Sequence, residues 1–374
     1  METIANIYNK TAWSDDCKKP TIKYLVTMNR RLIKNSLISA LSSSWISAIA
    51  TKFVGGGIPI FMMHQIYPDN TPGDKITPSY LRKCLSYLKE HNYNFVSIAD
   101  ILLYLKNNRP LPPKPVAFTI DDGFVEQATL AAPIFIEFKC PVTIFLITGF
   151  LDGQLWPWFS KVKYLLQSTT IRSFDFPSNN SKISYSLTND NDRHAATQNI
   201  REYLKRLSGD SIDQAINKLA EITQTSLPIE PPDGFKPMTW PQARQLEETG
   251  IVSFGPHTLS HPILSRVSDE QSFTEINLSW QRLKSELKNP CPLFCYPNGL
   301  ATDFGKREIE IIKKTDMKAA LSTIPAHLQL NAITNSPDKL FSLPRYNLPT
   351  DIYDFIMYSS WIELLKEKLY SRKN

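Results

Sequence analysis

Residues 116–123 read Val-Ala-Phe-Thr-Ile-Asp-Asp-Gly. An apolar, β-prone run ends here on two adjacent carboxylates and a turn residue. A short apolar run bounded by turn signals is the pattern of a strand buried on both faces. The same pattern recurs outward in both directions. Strands are predicted over 58–63, 93–98, 116–120, 142–147, 251–254, 293–296 and 318–322, with a short one near Leu343. Helical patterns separate them, so the chain reads as α/β with a mainly parallel sheet, and the strands suffice to close a distorted (β/α) barrel of about seven strands.

The intervening helices carry start and stop signals. Thr239 opens a capping box with Gln242, Pro241 sits in the first turn, and Gly250 marks the stop. Ser268 and Gln271 repeat the start signal, and Phe273, Ile276, Trp280, Leu283 and Leu287 form the expected buried stripe behind it. One interval breaks the rhythm: some ninety residues separate the strand ending near Ile147 from the helix at Thr239, against an ordinary connection of about four to six. It holds the aromatic cluster Trp156, Trp158 and Phe159, a Ser/Asn-rich stretch over 178–192, and helical patterns over 200–207 and 212–222. The expected organisation is an N-terminal helical extension (1–57), a barrel (58–348) interrupted by an insertion (151–237), and a C-terminal helix (349–374).

Composition excludes several classes. At 42% hydrophobic and 21% charged, 374 residues can build a real core and are neither disordered nor coiled coil. The net charge of +6 comes without any run of five Lys or Arg, so nucleic acid is not an expected partner. The five cysteines show no C-x-x-C pair or disulfide framework and read as reduced thiols. No secretory pattern is apparent in the first thirty-odd residues, and the expected location is the cytoplasm. Ile33, Leu37, Leu41, Trp45, Ile49 and Phe53 recur every four residues and share one helical face. That face is expected to pack on the protein's own core, with peripheral contact at the inner membrane face as the alternative. Trp361, Leu364, Leu365 and Leu369 form a similar stripe near the C-terminus.

Two constellations carry chemistry. Asp121 and Asp122 stand together at a strand end, which is costly unless a cation or a proton relay uses them, because neighbouring like charges raise each other's pKa. His257-Thr258-Leu259-Ser260-His261 follows another strand. Thr258 excludes the H-E-x-x-H protease motif, and Pro256 and Pro262 favour a loop over a helix. Two imidazoles and one carboxylate would leave a position open for water, the pattern of a catalytic metal site.

Taken in order, T-I-D-D-G, H-T-L-S-H and Phe294-Cys295-Tyr296-Pro297-Asn298-Gly299 resemble the polysaccharide deacetylase family, whose members remove acetyl groups from chitin, peptidoglycan and related glycans. The resemblance spans roughly residues 58–348 and includes Phe61-Met62-Met63-His64 and Leu343-Pro344-Arg345. It implies that Asp122, His257 and His261 hold a divalent cation, for which zinc is the first expectation, and that Asp121 is the general base. It further implies an oxyanion donor at the backbone near Tyr296. No Leu-x-His element follows Arg345, so the family's permuted arrangement points to His64 as general acid, with Met63 in place of the usual Tyr. Cys295 occupies a position where the family often has an Arg that orients the base, and Arg345 is expected to do that work from another strand. Trp156 and Trp158 are either a sugar-stacking wall or insertion core. The implied substrate is an acetylated amino sugar of a surface polysaccharide or its precursor. The alternatives are a related non-peptide amide hydrolase and a catalytically silent glycan-binding protein.

Overall fold

The computed structural model describes residues 33–42, 44–107, 110–178, 181–207 and 209–371; Cys17 lies outside them. The chain divides into two compact units, one formed by Gly56–Thr350 and the other by Met1–Gly55 with Asp351–Asn374.

The larger unit is built on parallel strands. β1 (Ile60–Met63), β2 (Asn94–Phe95), β3 (Pro115–Asp122) and β4 (Val142–Leu146) precede a hairpin of β5 (Ser173–Ser178) and β6 (Ser181–Ser186). Then come β7 (Val252–Pro256), β8 (Leu293–Cys295), β9 (Ala319–Leu321) and β10 (Tyr346–Asn347). The main sheet runs β10-β1-β3-β4-β7, with β2 beside β3, and β8 pairs with β9. The curve continues past β7, where Cys291 N–H donates to Phe254 O at 2.7 Å, and past β9, where Leu321 bridges to Leu343. This is a mixed α/β structure with a largely parallel central sheet, as expected for a distorted (β/α) barrel. Strands β3 and β4 bury essentially every residue, which is why their sequences are continuous apolar runs without alternation.

Register places the chemistry. Met63 pairs with Ile120, so His64 comes level with Asp121; Leu146 pairs with both Asp122 and Pro256, so His257 emerges just beyond Asp122. Barrel enzymes assemble their sites on this C-terminal face of the strands.

The helical signals are largely realised. The Thr239–Gln242 capping box starts Trp240–Glu247, and Ser268 accepts from Gln271 N–H at the start of Asp269–Glu286. In that second helix Ile276, Trp280 and Leu283 are buried, but Phe273 is exposed. The buried arc instead extends over Ser272, Glu275 and Ser279, because Glu275 is turned towards the histidine loop.

The interval after β4 forms its own cluster: helices Trp158–Ser168, Asp190–Leu204 and Asp210–Thr223 pack with the β5–β6 hairpin around Val162, Leu165, Phe176, Ile200 and Leu219. Trp156 and Trp158 are buried in apolar clusters, so they are insertion core and not an open stacking wall.

In the smaller unit, residues 33–41 and Ser44–Val54 are helical. Here the structure overturns an expectation: Ile33, Leu37, Trp45, Ile49 and Phe53 are exposed, between 53% and 85%, instead of packing on a core. Among the described side chains of these helices, Ile38, Ser42 and Val54 are buried. Helix Ser44–Val54 packs against Trp361–Ser371, and Trp361 Nε1 donates to Leu41 O at 3.1 Å. Leu364 is buried in the latter helix while Leu369 is exposed.

Candidate active site

Asp121 and Asp122 close β3, and both are buried. Asp122 has a φ of 90°, and in the loop beyond β7 Thr258 and His261 have φ of 66° and 63°. Such left-handed backbone is strained for a β-branched residue like Thr258 and persists only where surrounding contacts over-determine it. The contacts are present. Glu275 accepts the N–H groups of Leu259 and Ser260 at 2.8 and 2.9 Å and the Ser260 hydroxyl, and Thr258 Oγ1 accepts His261 N–H at 2.9 Å. Gly149 N–H donates to Leu259 O at 2.9 Å, and a Cβ there would stand 2.7 Å from that oxygen, so only glycine lets the two loops meet.

This scaffold brings His257 Nε2 and His261 Nε2 each to 3.7 Å from Asp122 Oδ1. The separation is too long for a hydrogen bond and suits donor atoms that share one ion. Asp122 Oδ1 and His261 Nδ1 are buried without a hydrogen-bond partner, which a native structure rarely tolerates unless something else engages the group. His257 Nδ1 lies 2.8 Å from Cys295 O, which fixes the tautomer and leaves Nε2 as the free lone pair. Burial pushes the His257 imidazole down to about 4, and burial with the neighbouring His257 holds His261 well below its ordinary value, so both are neutral and able to ligate. Burial and the Asp121 charge raise Asp122 to about 6, the behaviour of a carboxylate short of a cation. The donor set therefore fits a divalent metal ion.

Asp121 is differently placed. Burial disfavours its charge, but Arg345, with His257 and His64, overrides this and holds the carboxyl well below the usual range. Arg345 Nη1 and Nη2 grip Asp121 Oδ1 and Oδ2 at 2.8 and 2.9 Å. Its remaining donors reach Thr119 Oγ1 and Ser322 O at 2.9 Å and Cys295 Sγ at 3.0 Å. All five guanidinium N–H groups are used, the condition under which a fully buried ion pair is tolerable. Asp121, His257 and Cys295 also lie within 4.8 Å of one another. That group is the weaker metal site, because Arg345 already neutralises Asp121 and burial raises the Cys295 thiol well above its normal pKa.

His64 Nε2 lies 3.7 Å from Asp121 Oδ2, the oxygen that Arg345 Nη2 also holds, and its side chain is 43% exposed. Gln127 Nε2 donates to both His64 O and Asp121 O, tying the two strand ends together. The site thus joins Asp121, Asp122, His64, His257, His261 and Arg345. Tyr296 follows Cys295 at the end of β8. Its N–H is already given to Leu321 O at 3.2 Å, its hydroxyl donates to Phe341 O, and its ring stacks on Phe304 with centroids 3.8 Å apart. These contacts use the N–H and hydroxyl of Tyr296 itself, whereas the oxyanion donor was expected at the backbone near it.

Sequence reasoning missed the supporting shell. Gln127 and Glu275 lie on helical segments with no motif to mark them. Phe159 meets the His261 ring edge-on at 4.9 Å, Trp158 Nε1 donates to His261 O at 3.4 Å, and Arg201 donates to Phe159 O, so the insertion buttresses His261.

Comparison with known proteins agrees with this geometry. The family model described as Polysaccharide deacetylase matches residues 177–320, which include the His257–His261 loop but not Asp121 and Asp122. Poly-beta-1,6-N-acetyl-D-glucosamine N-deacetylase of Escherichia coli (strain K12) is 34% identical over 77 residues, 21% of this chain and 12% of that protein. This chain thus matches only a small part of that relative's length. Among solved structures, Streptococcus pyogenes deacetylase PplD in complex with acetate shares the fold with a TM-score of 0.53 at 18% identity, covering 82% of this chain and 98% of that one. IcaB from Ammonifex degensii gives 0.53 at 16% identity over 82% and 97%. The family model over residues 177–320 and the fold shared with these solved structures make this chain similar to polysaccharide deacetylases.

Proposed function

We propose that this chain is a metal-dependent hydrolase that removes N-acetyl groups from an acetylated amino sugar of a surface polysaccharide or its precursor. The observation that carries this reading is the juxtaposition of the Asp122–His257–His261 donor set with the ionised Asp121 and the accessible His64. A bound divalent cation, zinc by preference for two imidazoles and a carboxylate, supplies an acidified water and polarises the acetyl carbonyl. Asp121, kept ionised and immobile by Arg345, takes the proton of the attacking water. His64, with one edge towards Asp121 and the other exposed, protonates the departing amine, so the C–N bond breaks to acetate and a free amino sugar. Arg345 supports an active site over a silent glycan binder: its guanidinium reaches Asp121 even though Cys295 stands where the family often has an Arg. The described cysteines are free and buried, which is consistent with a reducing cytoplasm.

The test is acetate release from N-acetylglucosamine oligomers. Wild-type activity is expected to vanish with chelator and return with zinc or cobalt, and Asp121→Asn is expected to lose about 10²–10⁴-fold in rate. Chelator-resistant release, or an undiminished variant, would remove the basis for the mechanism. A parallel screen of cyclic imides and ureides separates glycan deacetylation from hydrolysis of other amides.

A further inference from the structure

We infer that the exposed apolar stripe of the smaller unit is a docking surface for an anionic phospholipid bilayer. Two consecutive helices, 33–41 and Ser44–Val54, are amphipathic in the inverted sense. Their large apolar residues Ile33, Leu37, Trp45, Ile49 and Phe53 are exposed, Phe53 to 85%. Ile38, by contrast, is about 140° around the helix from Ile33 and is buried. Single exposed apolar side chains are ordinary, but five within residues 33–53, two on the first helix and three at i, i+4, i+8 on the second, mark an interaction face.

Charge selects the occupant. Between Cys17 and Pro68 the chain has seven Lys and Arg and no Asp or Glu, in a protein whose entire net charge is +6. Lys34 is partly compensated by Asp354, 2.6 Å away, and Lys18 and Lys19 lie close to Asp15 and Asp16, but Lys23, Arg30, Arg31 and Lys52 have no Asp or Glu within five residues in the sequence. An acid-free basic segment carrying Trp, Phe, Ile and Leu on one helical face is the composition of an interfacial helix that buries its apolar side among acyl chains and its cations among anionic headgroups. Another copy of this chain offers the same basic charge and would repel it. No described helix is long and apolar enough to cross a membrane, so the contact is in-plane.

The full chain is tested by cosedimentation with phosphatidylcholine vesicles with and without phosphatidylglycerol. Binding is expected to be about tenfold stronger or more to the anionic vesicles and to fall at high salt. Trp45→Ser with Phe53→Ser is expected to weaken it by about tenfold or more, with the helical spectrum and acetate release from soluble oligomers unchanged. Equal binding to neutral vesicles, undiminished binding by the double variant, or a shift of the double variant from dimer to monomer in sedimentation would overturn the inference. So would loss of its helical spectrum, since exposed side chains are not needed for folding. Binding is read without substrate, so failure of the deacetylase reading leaves this result standing.

Discussion

At the residue scale the site rests on one fully buried ion pair. Removing the guanidinium in Arg345→Met leaves Asp121 charged in an apolar enclosure, which costs roughly 3–5 kcal/mol; urea unfolding should show a loss in this range, and a change near zero would mean the pair is not buried as described. The pH dependence has a definite sign. Because the folded-state pKa of Asp121 is depressed, its stabilisation is complete above the unfolded value of about 3.9 and is lost as pH falls through the lower folded value. Asp121's own contribution should therefore be lost only in strong acid; because burial together with the Asp121 charge raises Asp122 to about 6, the stability difference between wild type and Asp121→Asn should also change as pH falls through about 6. His64→Ala should leave metal affinity intact while lowering kcat by about 10²–10⁴-fold, a split that isothermal titration and acetate release measure separately. The convergence of Asp121, Asp122, His257 and His261 was legible in the sequence because adjacent carboxylates and paired imidazoles stand at or just beyond strand ends of one parallel sheet.

At the element scale, the loop 257–261 is a strained backbone held by one carboxylate. Glu275→Ala removes the acceptor for two N–H groups and a hydroxyl, and outer-shell losses of this kind typically cost about 10–100-fold in metal affinity. Zinc titration of the folded variant checks it; unchanged affinity would mean the loop keeps its shape unaided. Caps were readable from sequence because they are local: Thr239 and Gln242 need only each other. The β5–β6 hairpin was not. Its alternation (Phe174 and Phe176 against Ile183 and Tyr185) is interrupted by Ser, Asp, Pro and Lys, and only the helices packed on one side turn three of those four residues into core. Phe273 was misjudged for a related reason, since the buried face of its helix is set by where Glu275 must reach, not by apolar spacing alone.

At the scale of the whole molecule, every proposed site residue lies in the Gly56–Thr350 unit, which has its own core. A chain trimmed to that unit should fold and retain acetate release from soluble oligomers; loss of activity with a native-like spectrum would show that the remaining segments contribute to the site. The sequence by itself determined the strand-and-helix rhythm and marked the carboxylate and imidazole pairs that converge, because burial of short apolar runs and the scarcity of unpaired buried carboxylates are properties of local composition. Tertiary structure alone decided three things. It brought Arg345 to Asp121, a pairing 224 residues apart that follows only from sheet order. It spent the Tyr296 N–H on Leu321, because a backbone donor next to an open strand edge is taken by the neighbouring strand. And it turned the Ile33–Phe53 stripe outward: amphipathic spacing shows that a face is apolar, but which neighbour covers it depends on where the rest of the chain packs.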